Sequence, residues 1–351
     1  MSSWSGCPIR PLEIPPLAML KLGILEAACY PSQARGPLGW LRRNRFAYTL
    51  LETSLPPKPA EIVVFERIMQ EMRLTSGVYR TTARNRFANL DEWAQPILER
   101  RLGGQAAVQV EDWAASACVT SLEWHQRLAV GFPRLRLTAS DLNLHLLALE
   151  VPGDGTYVLE TGGGLLQYIR PPFVIRMEPP EPRLLAVNRI LGERARRRLE
   201  RIWRELGVRP DNQPGLLTLP DGADEKRMGS MRLVRLPLVH PEALALASAS
   251  PESFAIRTHS VFTAAPAPVD LVRTMNILNR SYFDEARLQE GARSVWRSLY
   301  AGGLWIVGRT VREQPPEHRA SVFEKTAEGF RLVERFGGPS EIEDLALALP
   351  V

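Results

Sequence analysis

The stretch from Val108 to Trp124 concentrates the chemistry of this chain. A short apolar run ends in two acids, Glu111 and Asp112. It then passes through small residues, Ala114 to Ala117, and Cys118 before a helical pattern opens. In an open α/β sheet, ligands sit outside the carboxyl ends of the strands. Small residues at such a place let the backbone approach a ligand, and the N–H groups that open a helix meet its polar atoms. A second acid, Asp141, ends the run that starts at Pro133, and one carboxylate can accept hydrogen bonds from two neighbouring hydroxyls. Farther on, Asn276, Asn279 and Tyr282 follow an apolar run from Val269 that contains Arg273.

Other chemistries lack their residues. The five histidines (His125, His145, His240, His259 and His318) and the three cysteines (Cys7, Cys29 and Cys118) show no metal-ligand spacing, so no metal and no disulfide framework is expected. No Gly-x-Ser-x-Gly turn supports a serine hydrolase, and no Gly-x-Gly-x-x-Gly follows the first strand as a nicotinamide site requires.

The elements that must hold these residues alternate between strand and helix from Gly104 onward, which predicts a parallel α/β sheet. Expected strands are Ala106 to Val110, Leu135 to Ala139, Ala255 to Phe262, Val269 to Leu278 and Leu304 to Gly308. Expected helices are Thr120 to Ala129 and Asp284 to Tyr300, the latter stopped by Gly302 and Gly303. Ser321 to Lys325, Phe330 to Phe336 and Leu345 to Leu349 read as short strands closing a sheet edge. Before this region, the proline-punctuated residues 1–57 read as short helices on an extended arm. Helical patterns follow at Pro59 to Arg73 and from an Asn89 N-cap to Gly103. More than a hundred residues separate the second strand from the third, far more than a crossover needs. The excess, residues 150–230, reads as an inserted α+β subdomain with a hairpin (Thr156 to Glu160, Leu165 to Arg170), an arginine-rich helix (Asn188 to Leu206) and a polar loop (207–230). The division expected is an N-terminal arm and helical cap over 1–103 and one α/β domain over 104–349.

The order of these segments resembles class I S-adenosylmethionine (SAM)-dependent methyltransferases over residues 104–149 and 231–349. Asp112 takes the acidic place of that family's first motif, and Ala114 and Cys118 fall where it has glycines. Asp141 is similar to the acid that receives the ribose hydroxyls, and His259 or Ser260 stands where an acid often lies near adenine. Asp270 to Arg309 looks like the later strand, helix, glycine turn and strand. The resemblance implies a Rossmann-like, mostly parallel twisted sheet with an antiparallel edge, and SAM as cofactor. It implies cofactor contacts from Asp112, Ala114, Ser116, Cys118, Asp141, Leu142, His259, Ser260 and Asn276. Asn276 and Tyr282 would be the catalytic candidates. Tyr79, Arg80 and Arg84, in a basic segment before the fold, would face substrate with Arg273 and Asn279. Methyl transfer to a small molecule or protein side chain is one reading; a methyltransferase-like binding or scaffold protein that has lost catalysis is the other, favoured by the replaced glycines.

Composition narrows the partners. Apolar residues make up 45% and charged residues 24%, as in an ordinary globular chain with a sizeable core. The net charge of +5 rests almost wholly on arginine, since lysine occurs only at 21, 58, 226 and 325. The arginine helix could favour nucleic acid or an anionic membrane, but Glu193, Glu200 and Glu205 are interleaved in it, which reads as a solvated face. Leu165 to Ile175 could line a substrate channel or touch a membrane surface, and reads instead as the insertion's own core. No run reaches the roughly 18–20 apolar residues of a membrane span. A cytoplasmic protein without a nucleic-acid partner is expected, with its oligomeric state open.

Overall fold

The computed structural model describes residues 23–25, 43–53, 56–75, 80, 83–170, 173–177, 185–207, 219, 223–313 and 315–349. In chain order it begins with β1 (Gly23–Leu25), β2 (Arg43–Arg45), α1 (Pro59–Glu71), α2 (Ala88–Leu102), β3 (Val108–Trp113) and α3 (Val119–Gly131). Next come β4 (Leu135–Asp141), β5 (His145–Val151), β6 (Gly155–Leu159), β7 (Leu165–Arg170), β8 (Phe173–Arg176), α4 (Leu185–Glu205) and β9 (Glu225–Met228). The remainder is β10 (Met231–Pro237), α5 (Pro241–Ala249), β11 (Phe254–Thr258), β12 (Val269–Met275), α6 (Glu285–Ser298), β13 (Leu299–Glu313), β14 (Pro316–Thr326), β15 (Gly329–Phe336) and α7 (Glu343–Leu347).

Two compact units result. One comprises Met1–Thr53, Pro59–Arg80 and His145–Pro237; the other comprises Ser54–Lys58, Thr81–Leu144 and Leu238–Val351. The boundary expected at residue 103 does not match this division. Helix α2 belongs to the second unit, whereas β1, β2 and α1 join the residues that read as an insertion.

In the first unit an eight-stranded sheet runs β2-β1-β8-β7-β6-β5-β10-β9, antiparallel except for β1 beside β2. Helix α4 lays Ala195, Leu199 and Trp203 on one face of it, against Leu147, Tyr157, Tyr168 and Leu233. Those helix residues recur every four positions, which makes a single apolar stripe. Of the short helices expected before residue 57, the described part of that segment holds one, a 3-10 helix at Tyr48–Leu51, and two strands stand beside it. Pairing with distant strands decided this, and local pattern reading does not see such pairing.

The second unit holds a seven-stranded sheet in the order β11-β4-β3-β12-β13-β14-β15. Its first five strands are parallel, and β14 and β15 return as antiparallel hairpins. This is an α/β fold with a mostly parallel sheet and an antiparallel edge. Helices α2, α3 and α5 cover one face through Leu98, Leu122, Trp124 and Ala243. Helices α6 and α7 cover the other through Leu288, Ala292, Val295 and Leu345. From β3 the chain winds outward to β4 and β11, then returns to β12 on the opposite side of β3. The strand order therefore reverses between β3 and β12, the kind of crevice where open sheets bind ligands.

Three expectations are corrected here. Leu345 to Leu349 is not a strand: α7, with Glu343 and Asp344 in its first turn, buries Leu345 and Ala346 and leaves Leu347 exposed, and Leu349 is buried just beyond its end. Asn89 does not cap α2, which starts at Ala88 with Phe87 at its N-cap. Helix α6 ends at Ser298, before Gly302 and Gly303. These glycines lie in a bulge of β13, where Val269 pairs with Leu299 and Leu271 with Leu304, and Gly302 takes φ +79°. No described helix is long and apolar enough to cross a membrane.

Candidate functional site

The loop between β3 and α3 carries the unusual backbone of the second unit. Ala114, Ser116 and Cys118 have φ of 58°, 53° and 60°, the left-handed region that glycine enters without cost. A Cβ there costs about 1–2 kcal/mol per residue, so three at alternate positions need compensation. Backbone bonds supply part of it: Ala115 N–H donates to Ser140 O (2.9 Å) and Cys118 N–H to Ala115 O (2.8 Å), while Ala117 O accepts from His240 N–H (2.8 Å). Ser116 sits at the middle place of the same alternation, which the sequence alone does not mark as left-handed.

Asp141, at the end of β4, closes onto this loop. Its Oδ2 accepts Ser116 N–H at 2.8 Å, and its Oδ1 accepts Asn143 N–H at 2.9 Å. Each oxygen of a carboxylate can accept two hydrogen bonds, which is the chemistry that recognition of paired hydroxyls calls for. Next to it Leu142 is 62% exposed, an apolar side chain at the carboxyl edge of the sheet. His259 follows β11, and its N–H donates to Asp141 O (3.1 Å). Its ring packs on Trp113 with 4.6 Å between centroids, and its Nε2 is shielded from solvent with no hydrogen-bond partner. Burial, then the charge of Arg257, lowers its pKa to about 4, so the ring is neutral near pH 7. Ser260 makes a turn, its Oγ accepting Phe262 N–H and its carbonyl accepting from Thr263.

Asp112 does not face this crevice. Side chains alternate along β3, and Asp112 points to the α2–α3 side, where Arg273 of β12 meets it. The guanidinium donates Nε to Asp112 Oδ1 (2.9 Å) and Nη2 to Asp112 Oδ2 (2.6 Å). Nη1 reaches Asp91 of α2 at 2.8 Å, and Nη2 also reaches Thr120 O at 3.2 Å. Ser121 Oγ donates to Asp112 at 2.6 Å, and the Trp124 ring lies 4.0 Å from the guanidinium carbon. Arg273 is 1% exposed. Its expected contact with substrate and that of Asp112 with cofactor are thereby corrected: the two charges neutralise each other inside the fold. Burial opposes the charge on Arg273, but Asp112 and Asp91 outweigh it and hold its pKa above the usual value. Asp91 is raised to about 6, because burial outweighs the attraction of Arg273.

The opposite side of β3 carries a second polar group that sequence reading did not single out. Glu111 accepts the Trp113 indole N–H (3.2 Å) and lies 3.0 Å from the Arg257 guanidinium. Burial raises it to about 7. The signal was present in the alternation of β3, since Glu111 and Trp113 share a face.

The remaining candidates divide. Asn276, with φ 63°, is built into the fold: its Oδ1 accepts Thr310 N–H at 2.7 Å and its Nδ2 reaches Thr310 Oγ1 at 3.3 Å. Asn279 is buried, donating Nδ2 to the carbonyls of Asn276 and Ile277 and accepting Ser281 N–H. Both side chains hold a turn, so a catalytic role for Asn276 and a substrate contact for Asn279 are set aside. Tyr282, by contrast, is 47% exposed beside Phe283. Arg84 pairs with Glu242 at 2.8 Å and approaches His240 Nε2 at 3.5 Å, close along the chain to the His240–Ala117 bond. Arg80 is buried in the first unit, so it does not share a unit with Arg84, and Tyr79 lies outside the described residues.

No protein-family model matches the chain, and no curated protein matches it in sequence. Solved structures do resemble it. They include the SAM-dependent methyltransferase SibL in its apo form (14% identity, 64% of this chain and 38% of that one, TM-score 0.26). The sugar N-methyltransferase KedS8 from Streptoalloteichus sp ATCC 53650 covers more (13% identity, 75% and 77% of the two chains, TM-score 0.29). The [4+2]-cyclase SpnF is similar to the same degree (10% identity, 63% and 44%, TM-score 0.26). The chain thus spans about two fifths of SibL. Likenesses this low, which join methyltransferases with a cyclase, carry no argument about activity, and the chemistry rests on the site itself.

Proposed function

We propose that the second unit binds SAM between the 114–118 loop and Asp141 and transfers its methyl group to a small molecule or a protein side chain. The observation that supports this is the Ser116–Asp141 hydrogen bond within a loop whose backbone keeps a glycine-type conformation without glycines. It brings a helix N-terminus and a strand-end carboxylate to one edge of the sheet, beside the reversal of strand order. Asp141 would receive the ribose hydroxyls, with Leu142 and the neutral His259 beside it; Asp112 has no part in binding. Bound there, SAM supplies a methyl group on a sulfonium, so the chain needs only to align an acceptor and exclude water. Tyr282, exposed at the same edge, is the candidate to meet the acceptor, its phenolic hydroxyl donating a hydrogen bond to it or accepting one from it.

The alternative, a binding protein without catalysis, is favoured by the engagement of Asn276 and Asn279 and by the Cβ atoms at 114, 116 and 118. Calorimetric titration with SAM and with its demethylated product separates the readings. Saturable binding that Asp141→Ala abolishes supports the site. Binding that appears only after Ala114→Gly, Ser116→Gly and Cys118→Gly supports the binding-protein reading. An absence of heat with either form, at millimolar ligand, overturns both.

A further inference from the structure

The first unit carries a charged surface that the methyl-transfer reading does not use. Along α4 the buried residues Ala195, Leu199 and Trp203 fix which side faces the sheet. At 100° per residue, the opposite side is a stripe formed by Arg194, Arg197, Arg201 and Arg204, all exposed. The interleaved glutamates, which read in the sequence as a solvated salt-bridge pattern, are displaced from that stripe. Glu193 and Glu200 lie on one flank and Glu205 on the other. Among the described residues, Arg197 alone of these four forms an ion pair, to Glu193 at 3.1 Å, with the arginine side chain 74% exposed. Arg204 donates to Glu200 O, a backbone contact that leaves its charge unmatched. Among the described residues, Arg194 and Arg201 form no ion pair. Arg198, off the stripe, is neutralised by Asp154.

Four guanidinium groups thus line about 15 Å of helix, three or four residues apart, and of the four Arg197 is matched by a carboxylate. Arginine presents a planar fork of donors suited to phosphate oxygens. An anionic bilayer is the less fitting partner. Membrane helices of this kind insert an apolar face below the headgroups, and that face of α4 is buried against the sheet. We infer that the outer face of α4 is a contact surface for the phosphate backbone of nucleic acid, without base reading. This reverses the expectation drawn from the sequence, because only the helix phase shows where the glutamates point.

The test is fluorescence anisotropy of the full chain with a short labelled DNA duplex as salt rises from about 50 to 200 mM. The expected result is binding that weakens steeply with salt. In the combined Arg194→Gln, Arg201→Gln and Arg204→Gln variant the slope of log affinity against log salt should shrink by about 2 to 3, since each neutralised phosphate contributes about 0.9. The matching lysine variant should keep the slope, because charge and not fork geometry releases counterions. An unchanged slope in a glutamine variant that melts at the wild-type temperature, no duplex binding at the lowest salt, or binding to phosphatidylserine vesicles in place of duplex would each overturn the inference.

Discussion

Arg273 and Asp112 are register partners on the two central strands, and their side chains close a two-pronged ion pair at 2.9 and 2.6 Å beneath the loop that opens α3. With Asp91 they form a buried cluster of one positive and two negative groups that ties α2 to β3 and β12. A buried pair is weak evidence of net stability, but removing one member leaves the other charges uncompensated. Arg273→Leu should therefore destabilise the protein by about 3–5 kcal/mol in urea unfolding. Arg273→Lys should recover only part of that, since an ammonium cannot bridge both acids with the same geometry. A loss under 1 kcal/mol for the leucine variant would show that the cluster relaxes or is hydrated.

Much of the second unit could be read from the sequence because its signals are local. The run of β3 into small residues and α3 is a contiguous pattern, and so is β4 ending in Asp141. What could not be read depends on contacts between distant residues. Asp91 and Arg273 lie 182 positions apart, and nothing near either one shows that the arginine is taken. The left-handed Ser116 was equally hidden, since serine has no special claim to positive φ. Strands β1 and β2 take their form from the sheet they join. The five-residue alternation near the C-terminus fits strand or helix alike; burial of Leu345 and Ala346 together, with Leu347 exposed, breaks the period of two and marks helix.

The loop conformation predicts an uncommon response to glycine. At Ala114 and Ser116 a glycine removes the left-handed penalty, which offsets the roughly 0.4–1 kcal/mol of added unfolded-state freedom. Ala114→Gly and Ser116→Gly should thus be neutral or stabilising by up to about 1 kcal/mol. Ala117 lies between two of the left-handed residues, is fully buried, and does not itself have positive φ. Ala117→Gly should cost about 1 kcal/mol. Thermal unfolding of the three variants decides it; equal losses at all three positions would mean that the backbone is not left-handed at 114 and 116.

Asn276 joins a left-handed backbone to a side-chain bridge, and two substitutions separate these contributions. Asn276→Ala loses both bonds to Thr310 and keeps a Cβ at φ 63°. Asn276→Gly loses the bonds alone. The alanine variant should be the less stable by about 1 kcal/mol. If the two melt together, the conformation carries no strain.

Glu111 makes the stability depend on pH in a direction opposite to that of ordinary paired carboxylates. Its pKa of about 7 in the folded protein exceeds the unfolded value of about 4.3, so the native state holds this proton more tightly. The resulting stabilisation is absent above about pH 8, grows as the pH falls through 7, and is complete below about pH 4. His259 acts in the opposite sense. Its folded pKa of about 4 lies below the unfolded value of about 6.5, so acid removes stability over that interval. The two oppose each other in the wild type, but His259 cancels when the wild type is compared with Glu111→Gln, which cannot titrate at that position. The melting temperature of the wild type relative to this variant should rise steadily from pH 8 to pH 5, toward a limiting gain of about 4 kcal/mol below about pH 4. Asp91→Asn should show the same sense with its change centred lower, near the pKa of about 6 of Asp91. A difference that shrinks toward acid would mean that the attraction of Arg257 outweighs burial at Glu111, and that this carboxylate is charged throughout.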